Sequence, residues 1–325
     1  MTFNSNALQV RSMPTVAARI ARAVRQMPAS FLGLILLVVV AWIFRPALLS
    51  PLLLLAILKQ AACLGVATIG QSLVMRARSI DLSIGGTVVV AIWIVTSGVL
   101  PLPVPALLLL AVAAGALVGA VNGIIVTRFR ASAVIVTLAM SIALVGAVVA
   151  VSQYRQPGEV PGLLRFFGSG RVASFPVAAI VWIAVLVPAA VFLRTTVFGR
   201  YLDAMGNNPG AAAISGIPQL RIVFLSHLAS GVTAAVAGLL LVGTVSVGNT
   251  NLGQDLVLNS LAAVTLGGVN FGAGKGGMAG PAAGALMLTF LFSLLVSFGL
   301  DAAGKYMVQG AIIAVAAILF TFRER

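Results

Sequence analysis

Val104-Pro-Ala-Leu-Leu-Leu-Leu-Ala-Val-Ala-Ala-Gly-Ala-Leu-Val-Gly-Ala-Val-Asn-Gly-Ile-Ile-Val-Thr127 runs for 24 residues without a charged side chain. As an α-helix rising ~1.5 Å per residue it reaches ~36 Å, more than the ~30 Å of hydrocarbon in a bilayer. Gly115, Gly119 and Gly123 recur every fourth residue, so one face is flat enough for a second helix to approach backbone to backbone. The stretch is a membrane span with a packing face, and similar apolar blocks recur on both sides of it.

Working outward, hydrophobic residues make up 61% of the 325 and charged residues 8%, whereas soluble chains run near a quarter charged. A β-barrel alternates apolar and polar residues along each strand; these blocks are continuously apolar. The fold class is therefore an all-α polytopic membrane bundle. Ten spans fit, at about 31–49, 52–75, 80–99, 104–127, 131–151, 176–193, 221–243, 256–271, 280–299 and 305–322. Residues 1–30 carry Arg11, Arg19, Arg22 and Arg25 without an acid, and the apolar run from Phe31 reads as an uncleaved first helix. With residues 1–30 as a basic cytoplasmic segment, fourteen of the twenty Lys and Arg fall on inner segments, as the positive-inside rule asks. An even number of spans returns Arg323-Glu324-Arg325 to the cytoplasm. The membrane domain is then 31–322, with an inner segment at 194–220 and an outer loop at 152–175.

Several function classes drop out. The net charge of +14 is spread over short inter-span segments instead of one face, which argues against nucleic acid. Cys63 is the lone cysteine and lies inside a span, and His227 is the lone histidine, in an apolar helix; no disulfide or metal framework arises from them. Gly272-Ala-Gly-Lys-Gly-Gly277 satisfies a dinucleotide fingerprint in letters only, because it links two spans and lacks a βαβ setting. Six acids scattered along the chain offer no paired carboxylates. No catalytic, cofactor or metal residues are expected, and energy for any active transport would then come from elsewhere.

Polar residues inside the apolar blocks are few. Asp81 stands where an N-cap of the third span would sit, with Arg76 or Arg78 as a partner, and Gly85-Gly86 permit a broken backbone there. Asp81, Ser83, Asn122, Asn259 and Ser260 would line a path for a neutral solute; stapling of helices is the competing reading. Gly272, Gly276, Gly280 and Gly284 form a second four-residue ladder, serving turns, packing or both. The outer loop 152–175, with Pro157, Gly158, Pro161 and Gly162, is either a partner contact or a solvated connection.

One polar passage stands apart: Phe198-Gly-Arg-Tyr-Leu-Asp-Ala-Met-Gly-Asn-Asn-Pro-Gly-Ala-Ala-Ala-Ile-Ser-Gly216. Arg200 to Met205 predicts a helix, Gly206-Asn207-Asn208-Pro209-Gly210 a turn, and Ala211 to Ile214 a second helix stopped by Gly216. Such a compact, helix-forming segment kept in water suggests that something docks on it.

The wording of that passage, extended to Ile217, resembles the cytoplasmic coupling segment of sugar ABC transporter permeases of the ribose, xylose and galactose type, within the branched-chain amino acid/ribose-type inner-membrane permease superfamily. Gly70-Gln-Ser-Leu-Val74 with Ile80-Asp-Leu-Ser-Ile-Gly85, Val121-Asn-Gly-Ile-Ile-Val-Thr127 and Leu261-Ala-Ala-Val-Thr-Leu-Gly-Gly268 agree with the same family in order and spacing. Two places depart: Arg78-Ser79 stand where the family commonly has Gly-Gly, and no Ser occurs in Asn270–Lys275. The resemblance implies a multi-pass permease of the bacterial inner membrane for a monosaccharide or polyol, without catalysis of its own. It implies a cytosolic ABC ATPase subunit, a periplasmic or surface-tethered solute-binding protein, and a second permease subunit, as homodimer or heterodimer, all set in the lipid bilayer. It assigns ATPase coupling to Gly199, Arg200, Tyr201, Ala204, Gly206, Asn208, Ala211, Ala212, Ser215 and Gly216. The alternatives are an ABC permease for branched-chain amino acids or urea, and an ion-gradient-driven carrier or channel.

Overall fold

A computed structural model describes residues 27–152, 158–247, 252–269, 276–301, 303–304, 306–308 and 310–311. The N-terminal arginines at 11, 19, 22 and 25, Asn270–Lys275, and most of the expected tenth span with Arg323-Glu324-Arg325 lie outside the described residues.

The elements are α1 (Ala29–Phe44), a 3₁₀ turn (Pro46–Leu49), α2 (Pro51–Arg76), α3 (Ile84–Thr96), α4 (Val104–Arg128), α5 (Ala133–Ser152), α6 (Gly162–Ser169), β1 (Arg171–Val172), β2 (Phe175–Pro176), α7 (Val177–Thr195), α8 (Val197–Asn207), α9 (Pro209–Ile214), α10 (Gln219–Val245), α11 (Gln254–Leu266) and α12 (Ala279–Ser297). Among the described residues six helices, α2, α4, α5, α7, α10 and α12, are long and apolar enough to cross a membrane. The chain is an all-α multi-pass membrane protein.

The 27-residue α10 is the axis, packed by α2, α3, α4 and α6. Its contact with α4 uses the glycine ladder. A Cβ on Gly115 would strike the Gly231 carbonyl and the Ala235 methyl, one on Gly119 the His227 carbonyl, and one on Gly123 the Phe224 ring and backbone. Close approach lets many weak dispersion contacts accumulate where lipid offers no hydrophobic drive. Gly280 and Gly284 of the second ladder do the same between α12 and α11, against Gly267 and Ala263, while Gly276 has φ +127 and serves a turn. Gly272 lies outside the described residues.

Two spans are shorter than the apolar pattern suggests. α3 and α11 have 13 residues each, or ~20 Å, too little for the hydrocarbon. Before α3 the chain runs without helix through residues 77–83, and Arg78 there has φ +61, at one of the two positions where the family wording has glycine. Backbone like this survives at membrane depth only where protein covers it and its polar groups find partners. The Gly85 and Gly253 backbones touch, so the first turn of α3 meets the residue just before α11.

The segment expected as an outer loop packs on the bundle through part of its described residues. α6 lies on α10, with Gly168 and Leu164 against Gly243, and the Ser169 hydroxyl donates to the Gly243 and Thr244 carbonyls at 3.1 Å each. A two-residue hairpin, β1–β2, follows and turns at Ala173 and Ser174, both at positive φ.

Candidate functional site

The polar passage folds as α8 and α9, a helix pair reversing under the end of α7. Thr196 is the one extended residue between α7 and α8. The reversal is tight enough that a Cβ on Gly199 would strike the Leu193 carbonyl, which accounts for glycine there. α8 is amphipathic: Phe198, Leu202 and Met205 recur at helical spacing toward the core, with Leu202 and Met205 buried, while Arg200, Asp203 and Asn207 face outward. Burying Leu202 contributes ~2 kcal/mol.

The break lies inside the expected turn and is narrower than it. Gly206 is the penultimate residue of α8 and buried, and Asn208 alone breaks the helix. Asn208 caps α9, its Oδ1 accepting the Ala211 N–H at 3.0 Å, with Pro209 in the first turn. The far end closes as a Schellman motif: the Gly216 N–H donates to the Ala213 carbonyl, the Ile217 N–H to the Ala212 carbonyl, and Gly216 has φ +74. Gln219 Nε2 donates to the Pro209 carbonyl at 2.6 Å and ties the loop to α10. Of the remaining expected coupling residues, Tyr201 and Ala204 are half-buried, Ala212 is buried, and Ala211 and Ser215 are exposed.

Two features escape the sequence reading. Ile214, the large apolar residue at the end of α9, is 92% exposed, a knob that the described residues leave uncovered. Arg76, at the last turn of α2, pairs with Asp203 of α8 at 2.5 Å, its side chain almost wholly buried and that of Asp203 half exposed. Of the two partners expected for Asp81, Arg76 is thus paired with Asp203 instead. The signals were present: a lone isoleucine in Pro-Gly-Ala-Ala-Ala-Ile, and a lone acid in a basic segment.

The expected path residues divide into two groups. Asp81, Ser83 and Asn122 come together and are all buried. Asp81 Oδ1 accepts the Ser83 N–H at 2.8 Å and the Ser83 hydroxyl at 2.6 Å, and Asn122 Nδ2 donates to Ser83 Oγ at 2.8 Å. Ser83, not Asp81, is the N-cap position of α3, so the capping expectation is corrected to a local turn. The Leu82 N–H donates to Thr137 Oγ1 and the Gly86 N–H to Ser141 Oγ, fixing the same segment to α5. His227 is buried beside Ser79, Nε2 to Oγ 2.8 Å. These side chains staple the non-helical 77–83 segment to α4, α5 and α10. Asn259 and Ser260 sit apart on α11: the Ser260 hydroxyl donates to the Val257 carbonyl of its own helix, while Asn259 Oδ1 is buried without a partner among the described residues.

The chain matches the family model described as branched-chain amino acid transport system / permease component over residues 53–317. It is 31% identical over 302 residues to the ribose import permease protein of Bacillus subtilis (strain 168), covering 91% of this chain and 93% of that one. To the galactose/methyl galactoside import permease protein of Salmonella typhimurium it is 31% identical over 307 residues, 88% and 91% of the two chains. To the fructose import permease protein of Bifidobacterium longum it is 29% identical over 294 residues, 84% and 81%. No solved structure matches the chain.

Proposed function

The chain belongs to the family of branched-chain amino acid transport system permease components, and we infer from that membership and its relatives that it is the permease subunit of a sugar ABC importer. The finer reading is a ten-helix permease with both ends in the cytoplasm, pairing with a second permease subunit to enclose a path for a monosaccharide or polyol. A cytosolic ABC ATPase supplies the energy and a solute-binding protein delivers the sugar from outside.

The observation that carries this reading is the α8–α9 element: a root locked into the bundle through Leu202, Met205 and the Arg76–Asp203 pair, and a tip at Ile214 that the described residues leave uncovered. A push on the tip passes through the rigid root to the end of α2, which runs through the core. Such a lever lets a partner's ATP-driven closure switch the bundle between two packings. For the path, the meeting of α3 and α11 at Gly85 and Gly253, with the orphan Asn259 Oδ1 nearby in sequence, favours the α11 side. Asp81, Ser83 and Asn122 bond one another, yet Asp81 Oδ2 and Asn122 Oδ1 are also buried without a partner among the described residues, so a polar path next to α3 and α4 is supported as well.

Reconstitution with the cognate ATPase and binding protein tests the reading, with ATP hydrolysis measured across ribose, fructose, galactose and polyols. Sugar-stimulated hydrolysis is expected. Stimulation by leucine or urea in place of every sugar would move the chain to the amino-acid branch of its family, and flux without ATP hydrolysis would make it a carrier or channel.

A further inference from the structure

Where α2, α7, α8 and the start of α12 meet, a crevice of about 730 Å³ opens. Its floor carries Arg76, Arg194 and Arg200 against the single carboxylate of Asp203, three positive charges to one negative. Arg76 is 4% exposed; it spends one terminal nitrogen on Asp203, and its Nε–H is buried with no acceptor among the described residues. A buried guanidinium donor left unpaired costs on the order of 1–3 kcal/mol, so a ligand oxygen there is favoured. The wall above is apolar and belongs to the membrane-spanning α7, where Val187 and Val191 are 52% and 53% exposed.

We propose that this crevice binds one anionic phospholipid, its phosphate on the arginine floor and an acyl chain along Val187 and Val191. The apolar wall decides against a soluble anion, which gains nothing from α7, and against an acidic side chain of a cytosolic partner, which does not reach up a spanning helix. Basic pockets at the ends of membrane helices hold anionic headgroups by this division of labour. A lipid seated here touches both ends of the Arg76–Asp203 joint, so occupancy would stiffen the link between α8 and α2. That consequence alone rests on the coupling reading; the binding does not.

The test is native mass spectrometry of the purified full chain titrated with phosphatidylglycerol or phosphatidylcholine. It requires neither ATPase nor sugar, so its failure is separate from a failure of transport. Phosphatidylglycerol should be retained in preference. Arg194→Gln with Arg200→Gln should weaken retention about 30-fold, about 5-fold per arginine, while Lys at both positions keeps it and thereby controls for folding. Arg128→Gln with Arg130→Gln, an equal charge loss on exposed arginines elsewhere, should leave retention unchanged. Asp203→Asn should raise it, because a competing carboxylate is gone. An equal loss in the Arg128/Arg130 variant, no preference between the lipids, or full displacement by millimolar inorganic phosphate would each overturn the proposal. So would loss of ATPase capture in the Arg194/Arg200 variant with lipid retention intact, which would make the crevice a protein-docking surface.

Discussion

Gly119 in α4 and Gly210 in α9 are the same residue under opposite constraints. A methyl at 119 would enter the His227 carbonyl of the neighbouring helix, whereas a methyl at 210 would meet only Asn208 Oδ1, at 3.4 Å. The α4–α10 contact is backbone on backbone and has no slack. The α8–α9 element is anchored on one face by a few apolar side chains and left open on the other. Rigidity in the bundle and openness in the element are what a lever needs, a fixed fulcrum and a reachable end.

The comparison breaks first at the fulcrum. Gly119→Leu should separate α4 from α10 and cost about 3 kcal/mol or more, read as loss of folded protein in the membrane or a large drop in thermal midpoint. A folded, normally melting variant would show that the ladder is not the packing seam. Next, Asp81→Ala strips the acceptor from the Ser83 N–H and hydroxyl and should cost about 2 kcal/mol in the same melt. Unchanged stability with lost sugar flux would return Asp81 to the translocation path and away from the staple.

Both halves of the comparison were partly legible in the residues. The ladder at Gly115, Gly119 and Gly123 announces a packing face because spacing four is one side of a helix, and the α4–α10 seam uses all three. The α8–α9 pair was legible from Asn208-Pro209 and Gly216, since caps and stops are local chemistry. Gly206 was misplaced into the turn because glycine weakens a helix locally, and burial of Leu202 and Met205 beside it outweighs that preference. The break before α3 was half legible, from Arg78, Asp81 and Gly85-Gly86, whereas the shortness of α11 was not, because a window average of hydropathy does not locate where a helix stops. The Arg76–Asp203 pair joins residues 127 apart, and no local pattern encodes such a distance.

At the joint between the two regions, Asp203→Ala should cost about 1 kcal/mol. Removal leaves Arg76 buried and unpaired, but the half-exposed carboxylate is screened. Its larger effect should be on coupling, measured as ATP hydrolysis that no longer rises with sugar. At the tip, Ile214→Ala should leave the melt within about 0.5 kcal/mol, because a 92% exposed side chain has little folding role. It should still weaken capture of the ATPase by roughly tenfold if Ile214 fills a partner pocket. Full retention of capture would move the docking surface away from α9.

The smallest effect is also the sharpest probe of the open face. Gly210 lies in the first turn of α9 with room for a methyl, so Gly210→Ala should stabilise the isolated chain by about 0.5 kcal/mol by restricting the unfolded state. Among the described residues the methyl meets only Asn208 Oδ1, at 3.4 Å, so a loss of ATPase capture without a loss of stability points to a surface outside the chain. A more stable permease that couples worse would mark α9 as covered by its partner, and one that couples equally well would leave that end of the element uncovered. A destabilised variant would mean that Gly210 is held in a conformation alanine does not reach, and that the element is less open than its contacts show.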